Sequence, residues 1–238
     1  NIEMKKNILL VILALVNFTV FSQEKLQYQE PPESILELVN APLAPSVIID
    51  SKGENVVLIY RDTYKSIAEL SASEMRLAGL RINPQQNIGS RTTYYNNIKV
   101  KKALAKEAIE VKGLPKNPRL SNFSLSPNEK MIACLNTTKD GTEVWILDIE
   151  KATVKKLTET VVNANMRNTI NWFKDNDAML VKVLPENRKS LIDTQKAIPL
   201  GPTVSVSDGA KAQNRTYQDL LKNPNDEQNF EQLAYSEL

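Results

Sequence analysis

The chain has 238 residues, 42% of them apolar, which is room for one large domain or two small ones and enough apolar mass for a core. Lys plus Arg number 30 against 28 Asp plus Glu, and the net charge of +2 gives no electrostatic support to a nucleic-acid partner. Histidine is absent and cysteine occurs once, so this chain alone cannot assemble a Ser-His-Asp triad, a Cys-His dyad, a His-ligated zinc site or an internal disulfide, and it implies no cofactor and no metal.

Met4-Lys5-Lys6 opens a short positive region, and the apolar run from Ile8 to Val16 is extended by Phe18, Val20 and Phe21. Val20 and Ser22 occupy the small-residue positions before a signal-peptidase cut, so residues 1–22 read as a signal peptide cleaved after Ser22. Asn17 and Thr19 interrupt the apolar stretch, which is short for a membrane span, and no cysteine follows to carry a lipid. The expectation is an exported chain, periplasmic or extracellular in a bacterium, without stable membrane insertion after cleavage. Residues 23–45, with Pro31, Pro32, Pro42 and Pro45, read as an N-terminal arm containing one or two helical turns over 33–39.

Short strands follow. Ser46 to Asp50 and Asn55 to Arg61 flank the turn Ser51-Lys52-Gly53-Glu54. The same strand–turn–strand pattern returns around Pro127-Asn128-Glu129-Lys130 and around Lys174-Asp175-Asn176-Asp177. The second and third copies lie about 47 residues apart, close to the ~40–50 residue period of propeller blades. In the middle copy Lys139-Asp140-Gly141 is a hairpin turn, Glu143 to Ile149 a strand, and Val154 to Leu157 the start of a fourth strand. Val144 and Ile146 face one side and Trp145, Leu147 and Ile149 the other, all apolar, so this strand should be covered on both faces, as a blade between two blades is. Cys134, in the run Met131 to Leu135, reads as a small buried hydrophobe, and Trp145 and Trp172 as packing residues. Adjacent Tyr94 and Tyr95 should point to opposite sides, one packed and one exposed.

Residues 62–115 read as an insertion with strands over Leu77 to Pro84, Arg91 to Lys102 and Glu107 to Val111. Toward the C-terminus a helical segment spans 214–235, in two parts: Asn214 to Lys222, then a helix with Asn225 as N-cap and Phe230, Leu233 and Ala234 on its apolar face. The fold class is all-β: an incomplete β-propeller domain over 46–238, about three blades of four antiparallel strands, with the helical segment as an excursion.

Four stretches carry a family resemblance: Pro31-Pro32-Glu33 through Asn40-Ala41-Pro42, Leu77-Ala78-Gly79-Leu80-Arg81-Ile82-Asn83-Pro84 with Ser90-Arg91 behind it, Phe123 to Lys130, and Thr216-Tyr217-Gln218-Asp219-Leu220-Leu221-Lys222. Together they resemble the N-terminal part of the prolyl oligopeptidase family of serine peptidases, nearest its glutamyl endopeptidase branch. The resemblance implies a propeller that covers an α/β-hydrolase domain and limits which peptides reach it. That domain would be a partner within the same polypeptide, and it would carry Ser, Asp and His. No G-x-S-x-G elbow occurs in this sequence, so no catalytic residue can be assigned here.

Within such a propeller, Arg81 and Arg91 are candidates to hold an acidic peptide substrate through a bidentate pair, and Asp226 and Glu227 to hold a peptide amino terminus. The alternative for the arginines is structural pairing with a carboxylate or carbonyl. For the acids it is a solvated helix start favoured by the helix dipole. Two other functions stay open at this point: a stand-alone secreted propeller that binds a protein or glycan, and an enzyme that works with carboxylates alone.

Overall fold

The computed structural model describes residues 29–175, 178–193, 196, 209 and 218–238; the signal peptide read over 1–22 and the helix start read at 214–217 lie outside the described residues. Two units are distinguished, 1–41 and 42–238. In the first, helix α1 (Glu33–Val39) starts behind Pro32, where the missing N–H costs nothing, and the Asn40 N–H closes it onto Leu36 O.

The second unit is built on stacked antiparallel sheets. Strands β1 (Ser46–Ile49), β2 (Asn55–Tyr60), β6 (Asn97–Lys102) and β7 (Ile109–Glu110) form one four-stranded sheet in that order. Strands β8 (Leu120–Leu125), β9 (Met131–Thr137), β10 (Thr142–Asp148) and β11 (Thr153–Lys156) form a second, each strand paired with its chain neighbour. Strands β12 (Ile170–Trp172) and β13 (Met179–Val181) begin a third.

Alternation decides how these sheets stack. Val57, Ile59, Ile98 and Val100 of the first sheet meet Ile132, Cys134, Leu147 and Val154 of the second in one buried cluster. Leu135 and Val144, on the opposite face of the second sheet, join Ile88 and Val162, with Ile170, Met179 and Val181 of the third sheet packed against them. The second sheet is therefore apolar on both faces and covered on both, which is the environment of a propeller blade between two others. The chain is mostly β, with few helices and successive antiparallel meanders, an incomplete propeller in architecture.

The repeated turn has a wiring. In Ser126–Lys130 the Ser126 hydroxyl accepts from Met131 N (3.0 Å), the Asn128 carboxamide accepts from Lys130 N (3.1 Å), and Glu129 takes a positive φ of 59°. Glu129 Oε2 then accepts from the N–H and hydroxyl of Ser51, in the matching turn of the first sheet, at 2.9 and 2.6 Å. The turns of neighbouring sheets are thus tied directly.

Two element boundaries differ from the sequence reading. The segment read as an insertion, 62–115, contains β6 and β7, which complete the first sheet, so the excursion from the meander covers 61–96. It holds the short helix α2 (Ile67–Leu70) and a three-stranded sheet of β3 (Met75–Leu77), β4 (Leu80–Asn83) and β5 (Ile88–Gly89). The stretch Leu77 to Pro84 is a tight hairpin rather than one strand, because Ala78 and Gly79 both adopt positive φ, 51° and 77°.

The second difference is at the C-terminal helix, α3 (Pro224–Ala234). Its N-cap is Asn223, whose carboxamide accepts from Asp226 N at 2.9 Å, with Pro224 at the first helical position; it is not Asn225. Residues 218–222 are not helical. This helical excursion docks on the other one, 61–96. Leu233 is fully buried with Leu77 and Ile82 of the three-stranded sheet, and Phe230, Leu221 and Leu191 pack around them. Asn163, 1% exposed, donates to Leu233 O (3.1 Å) and Tyr235 O (2.8 Å), satisfying carbonyls at the helix end.

Candidate functional site

Arg81 and Arg91 converge on one carboxylate. Glu74, at the entry to β3, receives Arg76 Nε at 2.8 Å, Arg81 Nη1 at 3.2 Å and Arg91 Nε at 3.5 Å, and the Ser90 hydroxyl donates to it at 2.6 Å. The Ser90 hydrogen bond, followed by the Arg76 contact and the nearby arginine charges, pulls the Glu74 carboxyl down to about 2. Arg81 also reaches Asp219 Oδ2 at 3.5 Å, and the Asp219 carbonyl accepts from Gly79 N at 3.1 Å. Two stretches that carry the family resemblance, Leu77–Pro84 and the Asp219 segment, therefore hold each other. Arg81 is engaged on both sides by carboxylates, while the Arg91 side chain stays 67% exposed.

Asp226 and Glu227 sit in the first turn of α3. Asp226 accepts from Lys222 N at 2.9 Å, which closes the cap around Asn223. Glu227 is exposed. Among the described residues no ion pair or hydrogen bond joins these two acids to the Glu74 cluster.

A broad concavity lies apart from these residues. A cavity of about 1100 Å³ opens where β2 and β9 end and where β6 and β10 begin, under the excursion 61–96. None of Arg81, Arg91, Asp226 or Glu227 lines it. Its floor is wired by Glu143, 6% exposed, which accepts from Trp145 Nε1 (2.8 Å) and Asn136 Nδ2 (3.3 Å) and pairs with Lys156 Nζ (3.1 Å). Burial pushes the Glu143 carboxyl up, and these three partners outweigh it, leaving it below the ordinary value. Over this floor the Arg119 guanidinium stacks on the Tyr94 ring, 4.1 Å from its centroid. Tyr95 turns the other way, edge-on to Phe123 at 5.5 Å, so the adjacent tyrosines do diverge, although both are half-buried.

Cys134 is fully buried, and burial pushes its thiol up to about 12, an unreactive state. No group of His, Cys, Asp and Glu suited to a metal ion occurs among the described residues, and none of their helices is long and apolar enough to cross a membrane.

Sequence reasoning singled out Arg81 and Arg91 through the motif they stand in, and not Arg76 or Glu74. It missed Arg119 and Glu143. Arg119 precedes β8 in a loop, Tyr94 comes from the excursion, and their stack is a long-range contact with no local signature. For Glu143 a weak signal existed: a glutamate two residues before a tryptophan, in a strand that is otherwise apolar.

No family model matches the chain. It is 27% identical over 224 residues to a protein of Arabidopsis thaliana named "Probable glutamyl endopeptidase, chloroplastic", covering 89% of this chain and 23% of that protein. A protein of the same name from Oryza sativa subsp. japonica is 27% identical over 233 residues, covering 91% and 24%. The chain spans about a quarter of the length of these curated relatives. Among solved structures it is similar to an acylaminoacyl peptidase in complex with Z-Gly-Gly-Phe-chloromethyl ketone (15% identity, 68% of this chain, 21% of that chain, TM-score 0.35). It is also similar to TolB from Acinetobacter baumannii (10% identity, 64% of this chain, 29% of that chain, TM-score 0.32). At those scores the structural likenesses carry no functional weight. The sequence likeness does: the resemblance to the glutamyl endopeptidase branch of the prolyl oligopeptidase family runs along about nine-tenths of the chain.

Proposed function

Starting from that resemblance, we propose that this chain is the non-catalytic, substrate-gating propeller part of an exported serine peptidase that hydrolyses peptides, with cleavage after glutamate as the preferred specificity. The observation that carries the reading is the 27% identity over 224 residues to glutamyl endopeptidases of which the chain spans only about a quarter. Two sequence facts support the division of labour. There is no histidine and no G-x-S-x-G in the chain, which fits a nucleophile, base and orienting acid carried by an α/β-hydrolase domain of the same polypeptide. The stacked meanders present concave surface and rigid strand ends, which suits a part that excludes and positions rather than one that breaks bonds.

In this reading the propeller restricts entry to unfolded or short peptides. Arg91, largely exposed beside Glu74, remains the better of the two arginine candidates for an acidic side chain, because Arg81 is already held between two carboxylates. Export through the N-terminal signal places the enzyme in the periplasm or outside the cell.

The test is the coding sequence downstream of Leu238 together with peptide hydrolysis by its product. The reading expects a G-x-S-x-G followed by Asp and then His, and cleavage of short glutamate-containing peptides. A downstream sequence that encodes only further blades, and a product without peptidase activity, would replace it with a binding propeller.

A further inference from the structure

Arg119 faces the cavity without a counter-ion. No carboxylate among the described residues lies within ion-pair distance of it, and its Nε is buried without an acceptor. A half-buried guanidinium in that state has given up water and gained only the Tyr94 ring face. Its root is fixed: the Arg119 backbone N–H donates to Asn136 Oδ1 at 3.1 Å, and its carbonyl accepts from Thr137 N at 3.0 Å. The side chain therefore stands preorganised, with an unmet demand for an anion.

The rest of the lining agrees in sign. Six cationic side chains line the cavity against three carboxylates. All three carboxylates are already committed. Glu143 holds Lys156 and Trp145, Glu69 closes the capping box on Ser66, and Asp62 accepts from Asn96. The volume of about 1100 Å³ exceeds what an inorganic ion needs, and Tyr94 and Trp145 supply aromatic wall. Arginine forks and lysines bind carboxylates and phosphates alike, so phosphate is the competitor against which the carboxylate is measured.

We propose that this cavity is a receptor for an organic carboxylate, with Arg119, stacked on Tyr94, as the residue that binds it. The carboxylate belongs either to a free small acid or to an acidic side chain of a peptide. The planar fork of arginine accepts both oxygens of such a group at once. The inference does not require the peptidase reading, because it concerns binding and is measured without turnover.

The full-length protein, treated with a fluorophosphonate so that no peptide is consumed, is titrated with glutarate, with acetyl-glutamate methylamide and with its glutamine counterpart. Calorimetry and the fluorescence of Trp145, which lines the site, report binding. Saturable binding of the carboxylates, and at least about tenfold weaker binding of the glutamine compound, is expected, in line with the cost of an unmet charged hydrogen bond. Arg119→Met should weaken carboxylate binding by about tenfold or more, and Arg119→Lys by less, since lysine keeps the charge and loses the fork. Equal affinity for glutarate and the glutamate compound identifies the free carboxylate as what is read; preference for the latter identifies the peptide side chain. Should Arg119→Met fail to fold, Arg119→Lys together with Lys139→Ala, each expected to weaken binding at low salt, carries the test. Unchanged affinity in these variants, equal binding of the glutamine compound, or phosphate binding as tight as glutarate would overturn the assignment.

Discussion

Glu74 shows how much a single carboxylate organises. It gathers Ser90, Arg76, Arg81 and Arg91, and through Arg81 it is linked to Asp219. Its carboxyl is depressed from 4.5 to about 2, so its contribution to stability is full above the ordinary carboxylate range and fades as pH falls from about 4.5 toward about 2. Glu74→Gln should therefore cost about 1 kcal/mol near neutral pH, below the ~1.5–3 kcal/mol of hydrogen bonds to a charged group because solvent reaches the cluster. Chemical unfolding across pH checks this: the gap between wild type and variant should narrow as pH falls below about 4.5 and close near about 2. The sequence exposed Arg81 and Arg91, though not Arg76, because those two lie in a recognisable stretch. It could not expose their partner, since Glu74 stands outside that stretch and nothing local marks it.

At the scale of elements, turns and caps decided which sequence readings held. Lys139-Asp140-Gly141 is legible because glycine after aspartate is an ordinary hairpin signal, and the structure joins β9 to β10 there. Ala78-Gly79 hid a turn inside what looks like a strand, because alanine seldom takes a positive φ. Gly79→Val should cost about 1–2 kcal/mol for the same reason, although a Cβ at that position meets nothing closer than Gln218 O at 3.9 Å. A lowered thermal midpoint in the full-length protein would register it. Gly113 is the opposite case: a Cβ there would lie 2.5 Å from Val154 O, so Gly113→Ala has to move the strand β11 that this loop touches. The helix α3 was read one cap late because Asn223 and Asn225 are both suitable caps, and only Pro224 between them favours the first. Its docking was invisible in sequence, since it depends on Asn163, some seventy positions away. Asn163→Ala strips Tyr235 O of its donor, while Leu233 O keeps Asn165 Nδ2 at 2.9 Å, and should cost about 1–3 kcal/mol. Hydrogen exchange should then show α3 opening well before the sheets.

On the scale of the whole molecule, the three copies of strand–turn–strand were enough to read stacked meanders. They were not enough to assign β6 and β7, because those strands return to the first sheet across the excursion 61–96 and share no local signal with it. The second sheet is sandwiched between two apolar clusters. The first sheet is different: on the face opposite its core, Val47 and Ile49 are 51% and 57% exposed, and their strand partners Leu58 and Val56 lie beside them. An apolar sheet face of that kind invites association. Residues 23–238 expressed alone should therefore aggregate or bind a hydrophobic dye, and Val47→Lys with Ile49→Lys should reduce both. A sharp, cooperative melt of a soluble monomer from the unaltered chain would count against it.

The account turns on where the chemistry resides. The most direct measurement is to label the full-length protein with a fluorophosphonate and map the modified residue by mass spectrometry. One labelled serine, inside a G-x-S-x-G outside these 238 residues, is the predicted result. A labelled serine within them, or no labelled serine in a folded full-length protein, would contradict it.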